Sequence, residues 1–306
     1  MGTRGSALAR WQAEWVAGRL ESMAQVAIEL VLIATAGDEQ QHGEIAAIGG
    51  EGVFTRRIQQ ALLQGQIDLA VHSLKDLPTD PVEGLALAAV PTRESVADVL
   101  ISRSGWSLDE LPHEATVGTG SLRRRAALLH VRPDLQMVDL RGNVDTRLRK
   151  LDDGQADAIV LAEAGLRRLG LLDARARHTL PASLMLPAIG QGALGIETRS
   201  DDVQTRALVA CVDDAASHAA VTAERALLAH LRGGCMAPVG AWGRAVAGDQ
   251  LLLEAAVFGH DGGERIAGTV KGPLSEAVEL GQRLGQDLLN RGAGRLIAAS
   301  RGANDG

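Results

Sequence analysis

Between residues 115 and 169 three short apolar runs (115–117, 135–140 and 158–161) are each followed by a helical stretch (118–130, 143–151 and 162–169). Few folds accept that rhythm. Strands alternating with helices lie mostly parallel in one sheet, with the helices packed on its faces. Upstream, residues 7–20 carry Leu8, Trp11, Trp15, Val16 and Leu20 at helical spacing behind Ser6, which predicts a capped helix with that stripe in the core. Residues 27–35 read as a buried strand and 54–63 as a helix, followed by a strand over 67–71. Two more apolar runs, 85–90 and 96–101, flank Pro91-Thr92-Arg93-Glu94-Ser95, where the chain is expected to cross into a second domain. Residues 189–198 are extended and glycine-bearing and could return it to the first.

Residues 202–231 then read as helical. Three β-like runs (239–246, 251–258 and 265–270), separated by Gly-Asp and Asp-Gly-Gly turns, predict a meander, and an amphipathic helix over 274–289 closes it. The expectation is an α/β fold: two lobes with mixed sheets plus a small α+β third domain. The expected bounds are 1–92 with 190–210, 97–186, and 214–306. Two or three domains suit 306 residues. The polar stretch 37–52 is expected to be mobile, and 302–306 to fray.

A net charge of −7, with no tyrosine and two phenylalanines, argues against a nucleic-acid partner, since stacking platforms are scarce. No apolar run is long enough to span a bilayer, and no charged-then-apolar leader is seen. Two cysteines make no disulfide framework, so a reducing, cytoplasmic setting is expected. Walker, zinc-ligand and Ser-elbow strings are all missing, and no metal is expected.

Charge is concentrated locally. From Thr119 to Lys150 eight cationic residues face three acids. Arg125, Arg132, Arg149 and Lys150 read as solvated helix faces. Arg123 and Arg124 instead occupy the first turn of a helix led by Gly118-Thr119-Gly120-Ser121, where each opposes the helix dipole by about 0.3–1 kcal/mol. A bound anion would remove that penalty. Arg141, between a strand and Gly142, has the same character, and Arg147 follows on the next helix. Guanidinium forks suit carboxylates, so a polycarboxylate or a phosphorylated ligand is expected. In AVHSLKDLPTD (70–80), a strand end delivers His72, Ser73, Lys75 and Asp76 to the place where open α/β sheets hold ligands. Asp76 is a candidate acid/base there, or a solvated loop carboxylate beside a lysine. Cys235, between Gly233-Gly234 and Pro238, is the most plausible nucleophile. Cys211 reads as a small buried hydrophobe in a helix.

Six strings in order, GTRGSALARWQA (2–13), AVHSLKDLPT (70–79), GTGSLRRRA (118–126), LRGNVDTRL (140–148), LPAIGQGALGIE (186–197) and ERALLAHLRGGCMAPVG (224–240), resemble the porphobilinogen deaminases, also called hydroxymethylbilane synthases. The resemblance implies two lobes like those of a periplasmic binding protein and a third domain whose cysteine holds a dipyrromethane cofactor through a thioether. It places Asp76 as the catalytic aspartate and Cys235 as the cofactor anchor. Ser73, Lys75, Thr119, Ser121, Arg123, Arg124 and Gly142 are implied around the cofactor. Arg4, Ser6, Phe54, Arg141, Arg147 and Arg168 are implied around substrate. The implied chemistry is four condensations of porphobilinogen with loss of ammonia, by a cytoplasmic monomer. Each passes through an electrophilic azafulvene, with water releasing the linear tetrapyrrole.

The sequence departs from that pattern at Glu51, where lysine is usual, and at Ala7, where proline is usual. Gly120, Met236 and Ala237 are milder changes. The start at Met1-Gly2 leaves little of the expected first strand, which should weaken the first sheet. The rival reading is a non-catalytic two-lobed binding protein, which needs neither Cys235 nor Asp76.

Overall fold

A computed structural model describes residues 1–34, 55–173, 175–234 and 237–302. The chain runs β1 (Gly2–Thr3), α1 (Ala7–Ala24), β2 (Val31–Leu32), α2 (Arg56–Leu63), β3 (Leu69–Ser73), β4 (Leu85–Ala89) and β5 (Asp98–Ser102). It continues through β6 (Thr116–Gly118), α3 (Leu122–Val131), β7 (Gln136–Val138), α4 (Val144–Asp152), β8 (Ala158–Ala162), α5 (Glu163–Arg168) and β9 (His178–Leu180). Then come β10 (Leu194–Arg199), α6 (Val203–Val209), α7 (Ala215–His230), β11 (Val239–Val246), β12 (Gln250–Phe258), β13 (Arg265–Pro273), α8 (Ala277–Asn290) and α9 (Ala293–Gly302).

Two compact units result: Met1–Glu94 with Ala193–His218, and Ser95–Gly192 with Ala219–Gly306. The first holds a five-stranded sheet in the order β2-β1-β3-β10-β4, the second a five-stranded sheet in the order β7-β6-β8-β5-β9. Each combines three neighbouring parallel strands with a fourth that runs antiparallel. In the first sheet that fourth strand, β10, arrives more than a hundred residues after β4, which is why the first unit is discontinuous in sequence. The sequence rhythm correctly implied parallel strands but could not place these antiparallel ones.

β3 is apolar on both faces because helices cover both. Leu69 and Val71 meet Ala13, Val16, Ala17 and Leu20 of α1, while Ala70 meets Ile58, Ala61 and Leu62 of α2. In the second unit Val117, Ala158 and Val160 pack with Ala126, Ala127 and Leu128 of α3, and Phe258 of β12 joins that core. The meander β11-β12-β13 forms its own three-stranded antiparallel sheet, packed against α7, α8 and α9. It belongs to the same compact unit as the second sheet.

Several expectations are corrected. Of 27–35, only Val31–Leu32 is strand, and both residues are exposed on an edge; Thr35 lies outside the described residues. The buried stripe of α1 is Gln12, Ala13, Val16, Ala17 and Leu20, leaving Leu8 and Trp11 half-buried. Gln12 can go inside because its carboxamide bonds the Ser73 hydroxyl at 2.9 Å. The helical stretch 202–231 is broken after Val212, where Asp213 and Asp214 bond backbone and cap α7. Cys211 is exposed on a 3-10 turn, not buried in a helix. Strand β9 and helix α9 were not anticipated. The stretch 37–52, with Glu51, lies outside the described residues, as do Phe54, Cys235, Met236 and 303–306. No described helix is long and apolar enough to cross a membrane.

Candidate functional site

In each five-stranded sheet the candidate residues follow the carboxyl ends of the parallel strands, where open α/β sheets present ligand sites. In the first unit β1 leads to Arg4 and Ser6, and β3 leads to Ser73, Lys75 and Asp76. Ser6 caps α1, its Oγ accepting the Ala9 N–H at 3.3 Å. Residues Leu74–Asp76 form one 3-10 turn, anchored by the Leu74 N–H on the Ala193 carbonyl at 3.0 Å. That turn holds Lys75 and Asp76 half-buried beyond the strand end. Among the described residues no hydrogen bond or ion pair engages the Asp76 carboxylate. His72 belongs to the interior instead: it is buried in β3, with Nε2 3.1 Å from Glu197 Oε2. Glu197 Oε1 also accepts from Gln59 Nε2 at 3.0 Å.

In the second unit the loops after β6 and β7 lie side by side, since the two strands pair with Gly118 opposite Val138. A Cβ on Gly118 would come within 2.7 Å of Leu140, so only glycine lets the β6 end approach that loop. Thr119 is buried, and its Oγ1 accepts the Ser121 N–H at 3.2 Å. Ser121 in turn caps α3, accepting the Arg124 N–H. Across the way, exposed Arg141 pairs with Asp139 at 2.8 Å, and Gly142 takes a φ of +120° that side chains disfavour. Arg147 is half-buried on α4. Arg168 closes α5, the helix after β8, and its Nη2 donates to the Gly192 carbonyl at 2.7 Å.

Arg123 and Arg124 do not project into solvent. Both are buried, and the carboxylate that answers their charge is Asp98, the first residue of β5. Arg123 Nη2 lies 2.8 Å from Oδ2; Arg124 sends Nη2 to Oδ1 at 2.8 Å and Nε to the same oxygen at 3.1 Å. The guanidinia also reach the backbone, Arg123 at Leu186 O (2.7 Å) and Arg124 at Val160 O (2.9 Å). Gln191 Nε2 adds a bond to Asp98 Oδ1 at 3.0 Å. Burial alone would push the Asp98 carboxyl up, but the Arg123 and Arg124 charges outweigh it and hold it down to about 2. Burial lowers the Arg123 guanidinium, and Asp98 opposes that.

Asp98 and Gln191 were missed in the sequence. The signal was there: an acid opening the apolar run Asp98-Val99-Leu100-Ile101 can go inside only with a cationic partner. Among the described residues no cluster of His, Cys, Asp and Glu is arranged to hold a metal.

A solved periplasmic substrate-binding protein of an ABC transporter from Coxiella burnetii matches 69% of this chain and 90% of its own, at 14% identity and a TM-score of 0.43, too low a likeness to carry an argument. The family model described as porphobilinogen deaminase, dipyromethane cofactor binding domain, matches residues 1–207, and that of the porphobilinogen deaminase C-terminal domain matches 218–290. The porphobilinogen deaminase of Desulforudis audaxviator is 51% identical over 302 residues, covering 98% of this chain and 97% of its own. That of Pelotomaculum thermopropionicum is 49% identical, covering 98% and 96%, and that of Rubrobacter xylanophilus 48%, covering 99% and 97%. With both family models in order and half of all positions shared from end to end, the chain belongs to the porphobilinogen deaminase family.

Proposed function

We propose that this chain is a hydroxymethylbilane synthase: it joins four porphobilinogen molecules head to tail, with one water consumed and four ammonia released, into linear hydroxymethylbilane. The observation that carries the reading is 51% identity spanning 98% of the chain with a porphobilinogen deaminase. The family implies a dipyrromethane cofactor, a group bearing several carboxylates. The residues present fit such a group. At the start of α3 two buried guanidinia share one buried carboxylate, leaving a positive excess, and the Arg123 Nε is buried with no hydrogen-bond partner among the described residues.

Cys235 would anchor the cofactor, and Ser73, Lys75, Thr119, Ser121, Arg123, Arg124 and Gly142 would line it. Bound there, it supplies a primer with a nucleophilic pyrrole α-carbon. Everything else is done by the chain's own side chains. Arg4, Arg141, Arg147 and Arg168, with Ser6 and Phe54, hold the acetate and propionate groups of substrate, a task for which forked guanidinia are suited. The Asp76 carboxylate accepts hydrogen bonds from pyrrole N–H groups, so positive charge developing on the ring during loss of ammonia is stabilised where it forms. The same Oδ atoms can take up the α-proton expelled as each carbon–carbon bond closes. The short turn after β3 suits this role because it fixes the carboxylate while leaving it without a competing partner among the described residues.

We further propose a three-part organisation, 1–92 with 190–210, 97–186 and 214–306, supported by the three separate sheets. A cytoplasmic monomer without nucleic-acid partners accords with two cysteines and a charge of −7. The reading is tested by incubating purified protein with porphobilinogen, measuring ammonia, and recording the intact mass. Cys235→Ser should carry no pyrrole adduct, and Asp76→Asn should keep the adduct while losing nearly all turnover. A wild-type protein that neither consumes porphobilinogen nor carries added mass overturns the proposal.

A further inference from the structure

We propose that Asp98 is a positioning residue, with Gln191 as its support: it fixes the direction of the Arg123 and Arg124 guanidinia at the start of α3. The inference rests on the reading of those arginines as ligand-holding groups. Three observations carry it. The carboxylate is fully enclosed, yet it is contacted on both oxygens by two different arginines and on one by a carboxamide. Arg124 grips one oxygen through both Nε and Nη2, a two-point contact that sets the plane of its fork. Finally, Gln191 Nε2 donates both to Asp98 Oδ1 at 3.0 Å and to the Val96 carbonyl at 2.8 Å, which ties the acid to the segment preceding β10.

Such a cluster is an expensive way to hold a fold together. Buried ion pairs and triads are often matched or bettered in stability by well-packed apolar residues. What apolar residues cannot supply is a pair of guanidinia at a helix start, aimed and held while their charge is only half cancelled. Without Asp98 the local positive charge rises by one, which by simple attraction would strengthen the hold on a polycarboxylate. Positioning predicts the opposite. The two effects therefore have opposite signs and can be separated.

The experiment compares wild type with Asp98→Asn, which keeps shape and removes charge. The Arg124 Nε–H signal is followed in protein labelled with 15N-arginine, assigned by its loss in Arg124→Lys, and porphobilinogen kinetics are measured in parallel. The expected result is loss or broadening of that signal and at least a tenfold fall in kcat/KM, with KM raised. Retention of the signal unchanged overturns the proposal. So does a kcat/KM at or above wild type once the signal has gone, because the direction of the forks would then not matter. If Asp98→Asn does not fold, Gln191→Ala replaces it, with a smaller, severalfold loss expected and no change overturning the claim. A wild type inert toward porphobilinogen refutes the functional reading, and the arginine spectrum then decides the positioning claim alone.

Discussion

Replacing Glu197 tests how the first sheet holds the turn that bears Asp76. The Glu197 carboxylate is buried between β3 and α2, taking Gln59 Nε2 at 3.0 Å on one oxygen and His72 Nε2 at 3.1 Å on the other. Neither partner can turn to water, since Gln59 and His72 are buried as well. Glu197→Gln keeps the volume but turns one acceptor into a donor, so either Gln59 Nε2, or His72 in its Nε2-protonated tautomer, is left facing another donor. A buried group left unsatisfied costs about 1–3 kcal/mol. Glu197→Ala strands both partners, each at about that 1–3 kcal/mol cost.

The measurement is urea unfolding near neutral pH, read on the first unit alone. Trp11 and Trp15 belong to that unit, whereas Trp106 and Trp242 belong to the other, so a Trp106→Phe/Trp242→Phe background isolates the signal. The order wild type, then Gln, then Ala, with steps of at least about 1 kcal/mol, is expected. Porphobilinogen turnover should fall in the same order, because His72 lies in the strand that ends at the Lys75–Asp76 turn. If both variants unfold within about 0.5 kcal/mol of the parent, the typical scatter of neutral surface changes, the buried trio does not hold the sheet and the reasoning fails.

Gly142→Ala forces a side chain into a φ of +120° and within 2.8 Å of Thr146, so a loss of about 1–3 kcal/mol is expected by thermal melting, together with a raised KM through the neighbouring Arg141. Gly262→Ala would set a Cβ 2.5 Å from the His130 backbone nitrogen at a φ of +78°, and should lower the melting temperature by several degrees without a selective effect on KM. Asp98 has a folded pKa held below its ordinary 3.8, to about 2. Its contribution, about 2 kcal/mol, is therefore fully present above pH 3.8 and lost as pH falls through about 2; urea midpoints between pH 5 and pH 2 should drop more steeply in wild type than in Asp98→Asn.

Much of the architecture was open to reading in the chain because its signals are local. The strand–helix alternation over 115–169, the glycine-turned meander and the Ser6 cap each depend on a few consecutive residues, and each appears in the structure, although α3 begins at Leu122, four residues after the expected start, and β13 runs three residues further than expected, to Pro273. What escaped was set by distant partners. The burial of Gln12 depends on Ser73, 61 positions away, and no periodicity argument could prefer a glutamine to Trp11 for the inside of α1. The stretch 27–35 is apolar enough for a buried strand, yet it meets the sheet at its edge, where only two residues pair and both face solvent. Cys211 reads in the sequence as a buried residue of a helix over 207–212; that helix instead stops at Val209, and the 3-10 turn Ala210–Val212 that follows leaves Cys211 exposed.

The arginines at the start of α3 show the same division within a single cluster. Their conflict with the helix dipole was correctly visible in the sequence, and so was the need for a negative partner. Its identity was not, because one carboxylate 25 residues upstream of Arg123, at the mouth of an apolar strand, answers part of that need internally. One acid against two guanidinia leaves the demand half met. An internal counter-ion that cancelled both charges would make the pair merely structural, and none at all would leave two cations to repel each other in a buried place. Partial cancellation keeps the pair foldable while preserving its attraction for a carboxylate, which is the balance that the proposed hold on acetate and propionate groups requires.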